Sequence, residues 1–226
     1  MEQFFLKVSI MLVPALMAIT CHEVSHGYIA DKFGDNTARS MGRLTLNPIK
    51  HMDIFGTIMV FVVGIGWAKP VPVNFNNLRH PKRDMIWVAA AGPITNFLLA
   101  TLSALAMRLL VHLGEGIPDA SPLARIVDPI TLMLAFSVYI NLLLAIFNLI
   151  PVPPLDGGRV AVGLLPYRLS MALASVERFG MIIIIALVFF TNAFGYVISP
   201  ALSFGINLLA GPQSTLVFGV TRLMMR

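Results

Sequence analysis

The chain has 226 residues, 57% of them apolar and only 12% charged, with a mean hydropathy of +0.82 and a formal net charge of +5. Soluble domains carry about 25% charged residues, so a soluble globular domain is excluded and an all-α, multi-pass membrane protein is expected. The lone cysteine excludes an intramolecular disulfide and a Cys-rich zinc site. The basic residues follow membrane topology, so no nucleic-acid partner is expected.

The first helix runs from about Phe4 to Lys32. Lys7 and the uncharged run after it resemble a signal peptide, but cleavage would leave the motif below at a chain end. The segment therefore reads as a retained transmembrane helix. It carries Thr20-Cys21-His22-Glu23-Val24-Ser25-His26-Gly27, an H-E-x-x-H motif in an apolar helix. Residues four apart on a helix differ by about 40° around its axis. His22 and His26 therefore share a face and can bind one metal, with Glu23 near enough to reach a third species on it. Cys21 reads as a small buried apolar residue. Ionisable groups in a membrane helix are costly and usually functional. The motif lacks a third protein ligand.

Residues 33–53 are polar and turn-rich. Arg43 to Asn47 alternates and reads as a short strand. His51 reads as an interfacial structural histidine, with metal assistance as the other possibility. Ile54 to Ala68 is uncharged but shorter than the roughly 20 residues a spanning helix needs. With the proline-rich Lys69 to Asn74 it reads as a re-entrant β-like hairpin over 54–75; a short tilted helix is the alternative. If this segment returns to its own side, Lys32, Arg39, Arg43, Lys50, Lys69, Arg79, Lys82 and Arg83 all face the cytoplasm. If it spans, that bias disappears.

Met85 to Val111 is the next transmembrane helix. Within it, Gly92 permits close helix approach, Pro93 frees a backbone carbonyl, and Asn96 offers a buried amide. His112 to Asp128 has an acidic balance that fits the outside. The span from Pro129 to Leu155 is uncharged and ends in Asn148-Leu149-Ile150-Pro151-Val152-Pro153-Pro154-Leu155-Asp156-Gly157-Gly158. Its prolines cannot continue a helix, so Asp156 is expected on a fixed irregular turn. Arg159, Arg168 and Arg178 return the chain to the cytoplasmic side. Phe179 to Thr221 is uncharged and fits two passes, or one pass and an interfacial segment. The expected total is about five transmembrane helices, within a range of about four to six, plus the small β-like element.

This topology brings the first helix and the span after Pro129 to the same cytoplasmic leaflet. Asp156 is then the natural third ligand beside His22 and His26, with one position left for water, as in catalytic zinc sites. Other divalent metals are compatible with the same donors.

These residues resemble the site-2 protease family of intramembrane metalloproteases. The resemblance rests on His22-Glu23-x-x-His26, Asn47-Pro48-x-x-His51, Gly92-Pro93-x-x-Asn96 and Asn148 through Asp156-Gly157-Gly158, in family order. It implies one catalytic Zn²⁺ held by His22, His26 and Asp156, with Glu23 as the base. It also implies that Asn148 helps hold the substrate backbone or the oxyanion; Asn96 is a further candidate for the oxyanion. The expected reaction is peptide-bond hydrolysis in or near the transmembrane helix of a single-pass membrane protein. Such a protein and the lipid bilayer are the expected partners. A metal-binding transporter or a non-proteolytic scaffold is the alternative. No PDZ or CBS domain is expected, only a single membrane-embedded domain over 1–226, with a catalytic core of about 1–168 and C-terminal helices over about 179–226. A prokaryotic cell membrane is the expected location, with the site toward the cytoplasmic leaflet.

Overall fold

A computed structural model describes residues 2–56, 68–118, 121–190, 192 and 194–224. Helix α1 spans Glu2–Lys32 and the short α2 spans Thr37–Ser40. Helix α3 spans Pro81–Gly114 and α4 spans Ala124–Asn148. Then come α5 (Asp156–Leu164), α6 (Tyr167–Ser175), α7 (Glu177–Phe190), α8 (Ser199–Ala210) and α9 (Ser214–Met224). Single turns of 3-10 helix occupy Pro48–His51, Phe75–Asn77 and Gly211–Gln213.

Three helices are long and apolar enough to cross a membrane: Lys7–Lys32, Pro81–Gly114 and Ala124–Asn148. The bent pair Tyr167–Ser175 and Glu177–Leu187 makes a fourth if taken as one span. This is a multi-pass, helical membrane protein; three to four candidate spans among the described residues reach at most the lower end of the expected four to six, and the count of about five is not confirmed. The C-terminal stretch supplies the shortfall. Gly211 adopts a φ of +56° and Pro212 follows it, so α8 and α9 are short helices on either side of a break.

The chain divides into two compact units. The first comprises 1–18, 96–146 and 193–226. Its core gathers Ile10, Ala100, Ala104, Met107, Ala135, Leu142, Ile206 and Val217. Alanines at Ala100, Ala104 and Ala135 let the helix backbones approach closely between the larger Ile, Met, Leu and Val side chains. On α4 the buried positions Thr131, Ala135, Val138, Leu142 and Ala145 recur at helical spacing and form one stripe. A buried polar chain crosses this unit. Asn96 Nδ2 donates to Ala18 O at 3.2 Å and to Asn141 Oδ1 at 2.8 Å, Asn141 Nδ2 donates to Ser137 O, and the Ser137 and Ser103 hydroxyls pair at 2.8 Å. Leu98, Leu102, Leu105 and Leu109 point outward on α3, which suits lipid contact.

The second unit comprises 19–95 and 147–192. Its small core joins Ala30, Leu78 and Val88. The expected strand over Arg43 to Asn47 is absent. Its backbone groups are used locally instead: Arg43 N–H donates to Ala38 O, Thr45 N–H to Arg43 O, and Asn47 N–H to the Thr45 hydroxyl. The body of the expected re-entrant hairpin lies outside the described residues. At its mouth, Met52 and Ala68 form an antiparallel bridge, and Lys69 N–H donates to His51 O. The two ends of that segment therefore meet.

Candidate metal centre

The site lies wholly within the second unit, where α1, α3 and α5 converge. His22 and His26, one turn apart on α1, place their rings 4.7 Å apart and nearly perpendicular. Asp156 is the first residue of α5, where the helix dipole favours a carboxylate. Its Oδ2 lies 3.1 Å from His22 Nε2 and 3.3 Å from His26 Nε2.

The backbone around Asp156 explains how it is fixed. A Cβ on Gly157 would overlap Leu149 O, and one on Gly158 would overlap the Val152–Pro153 backbone. The turn after α4 thus folds directly onto the start of α5, with a cis peptide between Pro153 and Pro154. Further along, α5 packs Gly163 against Ile86 of α3, and Lys82 Nζ donates to Leu165 O at 2.6 Å. Gly180 of α7 packs against Pro153 and Pro154 from the other side.

Helix α3 closes the site. His26 Nδ1–H donates to Val88 O at 2.7 Å, which leaves neutral His26 with a lone pair on Nε2. Pro93 cannot donate to the Ala89 carbonyl, so helical bonding is interrupted near the turn that presents Val88 O. A Cβ on Gly92 would come within 2.5 Å of His22 Cε1 and of His26 Nε2. Only glycine lets α3 lie this close to both imidazoles.

These donors fit a metal ion. Two ligand atoms each about 2.05 Å from a tetrahedral ion lie about 3.3 Å apart, and the carboxylate–imidazole separations match that edge. Oδ2 of Asp156 is buried without a hydrogen-bond partner. It faces a histidine nitrogen that carries no proton in the neutral ring, and two facing lone pairs need a cation between them. His22, His26 and Asp156 form the one group of this kind among the described residues.

Glu23 stands beside the group rather than in it. Its Oε2 accepts the Val71 backbone N–H at 2.8 Å. Asn148 ends α4, next to the Leu149 carbonyl that packs on Gly157. Asn96 falls in the other unit, and its amide nitrogen serves Ala18 and Asn141. His51 is buried, with Nε2 donating to Thr45 O. Among the described residues it joins no metal group. Two contributors escaped sequence reasoning: the Val88 carbonyl and the Val71 amide. Both act through the backbone, and only the Pro70-Val71-Pro72 pattern hinted at one of them.

Comparison with known proteins agrees with this geometry. The model of peptidase family M50 matches residues 116–191, a stretch that includes Asp156. YwhC of Bacillus subtilis is 38% identical over 205 residues, covering 86% of each chain. Rip2 of Mycobacterium tuberculosis is 30% identical over 182 residues, which is 76% of this chain and 63% of Rip2. Rip2 of Mycolicibacterium smegmatis is 28% identical over 177 residues. YwhC and Rip2 both carry the name "Putative zinc metalloprotease". No solved structure matches the chain. With its H-E-x-x-H helix, its distant aspartate and a relative this similar over most of its length, the chain belongs to peptidase family M50.

Proposed function

We propose that this chain is a zinc-dependent intramembrane protease that hydrolyses a peptide bond within or near the transmembrane helix of a single-pass membrane protein. The observation that carries the reading is a three-ligand group, His22, His26 and Asp156, beside a carboxylate that is not a member of it. A structural zinc site closes with four protein ligands, whereas a catalytic one keeps a position open. A pure metal store has no use for Glu23.

A bound zinc ion would supply Lewis-acid polarisation and lower the pKa of water toward about 7. Glu23 accepts the proton of the attacking water and passes it to the leaving amine. Asp156 and His26 arrive pre-oriented, through the glycine turn and the Val88 carbonyl respectively. Asn148 is the favoured oxyanion donor. Asn96, already bonded to Asn141 and Ala18, serves helix packing. Within the same unit, Ser25, Tyr28, Trp87 and Ile94 line an open, apolar groove of about 300 Å³ between α1 and α3. The basic residues between Lys32 and Arg83 support a site near the cytoplasmic leaflet. The relatives are bacterial, which supports a bacterial cell membrane.

The test is Glu23→Gln in purified, detergent-solubilised protein. Zinc content should stay at the wild-type level while cleavage of single-pass substrates is abolished. Wild-type cleavage by that variant would sink the mechanism.

A further inference from the structure

Arg43 looks in the sequence like one more cytoplasmic cation. In the fold it is buried, only 8% exposed. Its Nη2 donates to Lys69 O at 2.9 Å and to Pro70 O at 3.3 Å. Among the described residues it pairs with no carboxylate, and its Nε is buried without a partner. A guanidinium removed from water without a counter-ion is costly. What offsets that cost is the pair of consecutive carbonyls it holds.

Those carbonyls lead straight to Val71. Pro70 and Pro72 have no N–H, so Val71 carries the sole amide donor of this tripeptide. It gives that donor to Glu23 Oε2 at 2.8 Å. The Val71 side chain is itself buried, and it fills the notch above Gly27, one residue beyond His26. A Cβ on Gly27 would lie 2.7 Å from Val71 Cγ1 and 2.7 Å from Leu44 Cδ2. The Lys69–Val71 strap is therefore fixed at three points: the Arg43 donor, the Gly27 notch and the Glu23 carboxylate.

We propose that Arg43 is a positioning residue for Glu23: it clamps the strap that presents the Val71 amide to Oε2, and so aims the other carboxylate oxygen at the attacking water. The inference rests on the reading of Glu23 as general base. A carboxylate on a flexible side chain samples several orientations, whereas a base must be held to within about 0.5 Å of its working geometry. The Val71 amide removes most of that freedom, and Arg43 removes the freedom of the amide. Groups that orient catalytic residues in this way typically change activity by about 10- to 100-fold when lost.

The experiment uses the full chain in detergent and a single-pass model substrate whose transmembrane helix carries an Asn-Pro break. Zinc content, thermal midpoint, kcat and KM are measured for wild type, Arg43→Gln, Arg43→Lys and a chain in which an ester replaces the Val71 amide. Arg43→Gln should lower kcat about 10- to 100-fold, with KM and zinc content unchanged. Arg43→Lys keeps a charged donor group on a shorter reach and should recover part of kcat. The ester keeps the valine side chain and the shorter Arg43 bond to Lys69 O, removes the N–H and weakens Pro70 O as an acceptor; it should reproduce the kcat loss. Adding Arg43→Gln to the ester should then cost nothing more, a non-additivity that a merely structural arginine would not produce. Unchanged kcat in Arg43→Gln, zinc loss in proportion to kcat, or additive losses with the ester would each overturn the inference. Glu23→Gln in the same assay separates the two ideas. If it is inactive while Arg43→Gln is normal, only the role of Arg43 fails. If it cleaves normally, the general-base reading fails as well.

Discussion

The sharpest consequence of the site geometry falls on a residue with no side chain. Gly92→Ala adds one methyl group where α3 meets both imidazoles, at 2.5 Å from His22 Cε1, 2.5 Å from His26 Nε2 and 2.6 Å from His22 Nε2. Ordinary contacts between such atoms are about 3.5–4.0 Å, so roughly 1 Å must be found. The neighbours able to give way are the two imidazoles, and a metal site tolerates only about 0.2 Å of error in its ligand distances. Overpacking of this kind costs about 1–3 kcal/mol. Without metal, the rings can swing aside and relieve most of it. With metal, they cannot. A cost of about 2 kcal/mol falling on the metal-bound state alone weakens zinc binding about 30-fold. Chelator competition, read as zinc content against free chelator, measures this directly. Thermal melting of the chelated protein should change far less. Gly219→Ala is the control, because nothing lies within 4 Å of a Cβ there; it should leave zinc binding unchanged. Wild-type zinc affinity in Gly92→Ala would refute the close approach of α3 to the imidazoles.

Asp156→Ala removes a direct ligand and should weaken zinc binding by at least about 100-fold, beyond the effect of losing an orienting group; unchanged zinc stoichiometry would exclude Asp156 from the metal. Asp35 offers a pH test away from the site. Burial alone would raise its carboxyl pKa, but hydrogen bonds from the Thr37 hydroxyl, the Asn77 side chain and the Asn74 and Thr37 backbone outweigh burial and hold it below the usual carboxylate value. Its folded pKa is therefore depressed, so its stabilisation is present above the unfolded value of about 3.9 and is lost as pH falls through the folded value. Asp35→Asn should cost about 2 kcal/mol near neutral pH, and the gap to wild type should narrow in acid thermal melts. A gap that does not change with pH would count against this account.

The candidate ligands were legible because their chemistry is written in side chains. H-E-x-x-H has a fixed helical geometry, and a chain that then breaks on Pro151, Pro153 and Pro154 just before Asp156 announces an irregular, rigid turn. The charge bias pointed to a returning segment after His51; its body lies outside the described residues, and the structure shows only the bridge between Met52 and Ala68 at its ends. What stayed hidden was carried by backbone or by context. The alternation at Arg43 to Asn47 looked like a strand, but no partner strand exists there among the described residues, and Arg43 is turned inward by carbonyls distant in sequence. Gly92 suggested close approach without saying to what. The uncharged C-terminal run fits two passes or one pass and an interfacial segment, and hydropathy alone does not choose between them; the left-handed φ of Gly211 breaks the helices there.

The distance along the chain between His26 and Asp156 sets an order of assembly. A ribosome that has delivered α1 through α4 has made both imidazoles, the base and the Arg43 clamp, but no carboxylate to complete the metal site. The last ligand arrives only with α5, and Gly180 of α7, made later still, packs against the Pro153–Pro154 turn that precedes it. An unfinished chain therefore has two histidines and little hold on metal. If the site holds zinc as proposed, its full ligand set exists only after α5 has been made, late in synthesis.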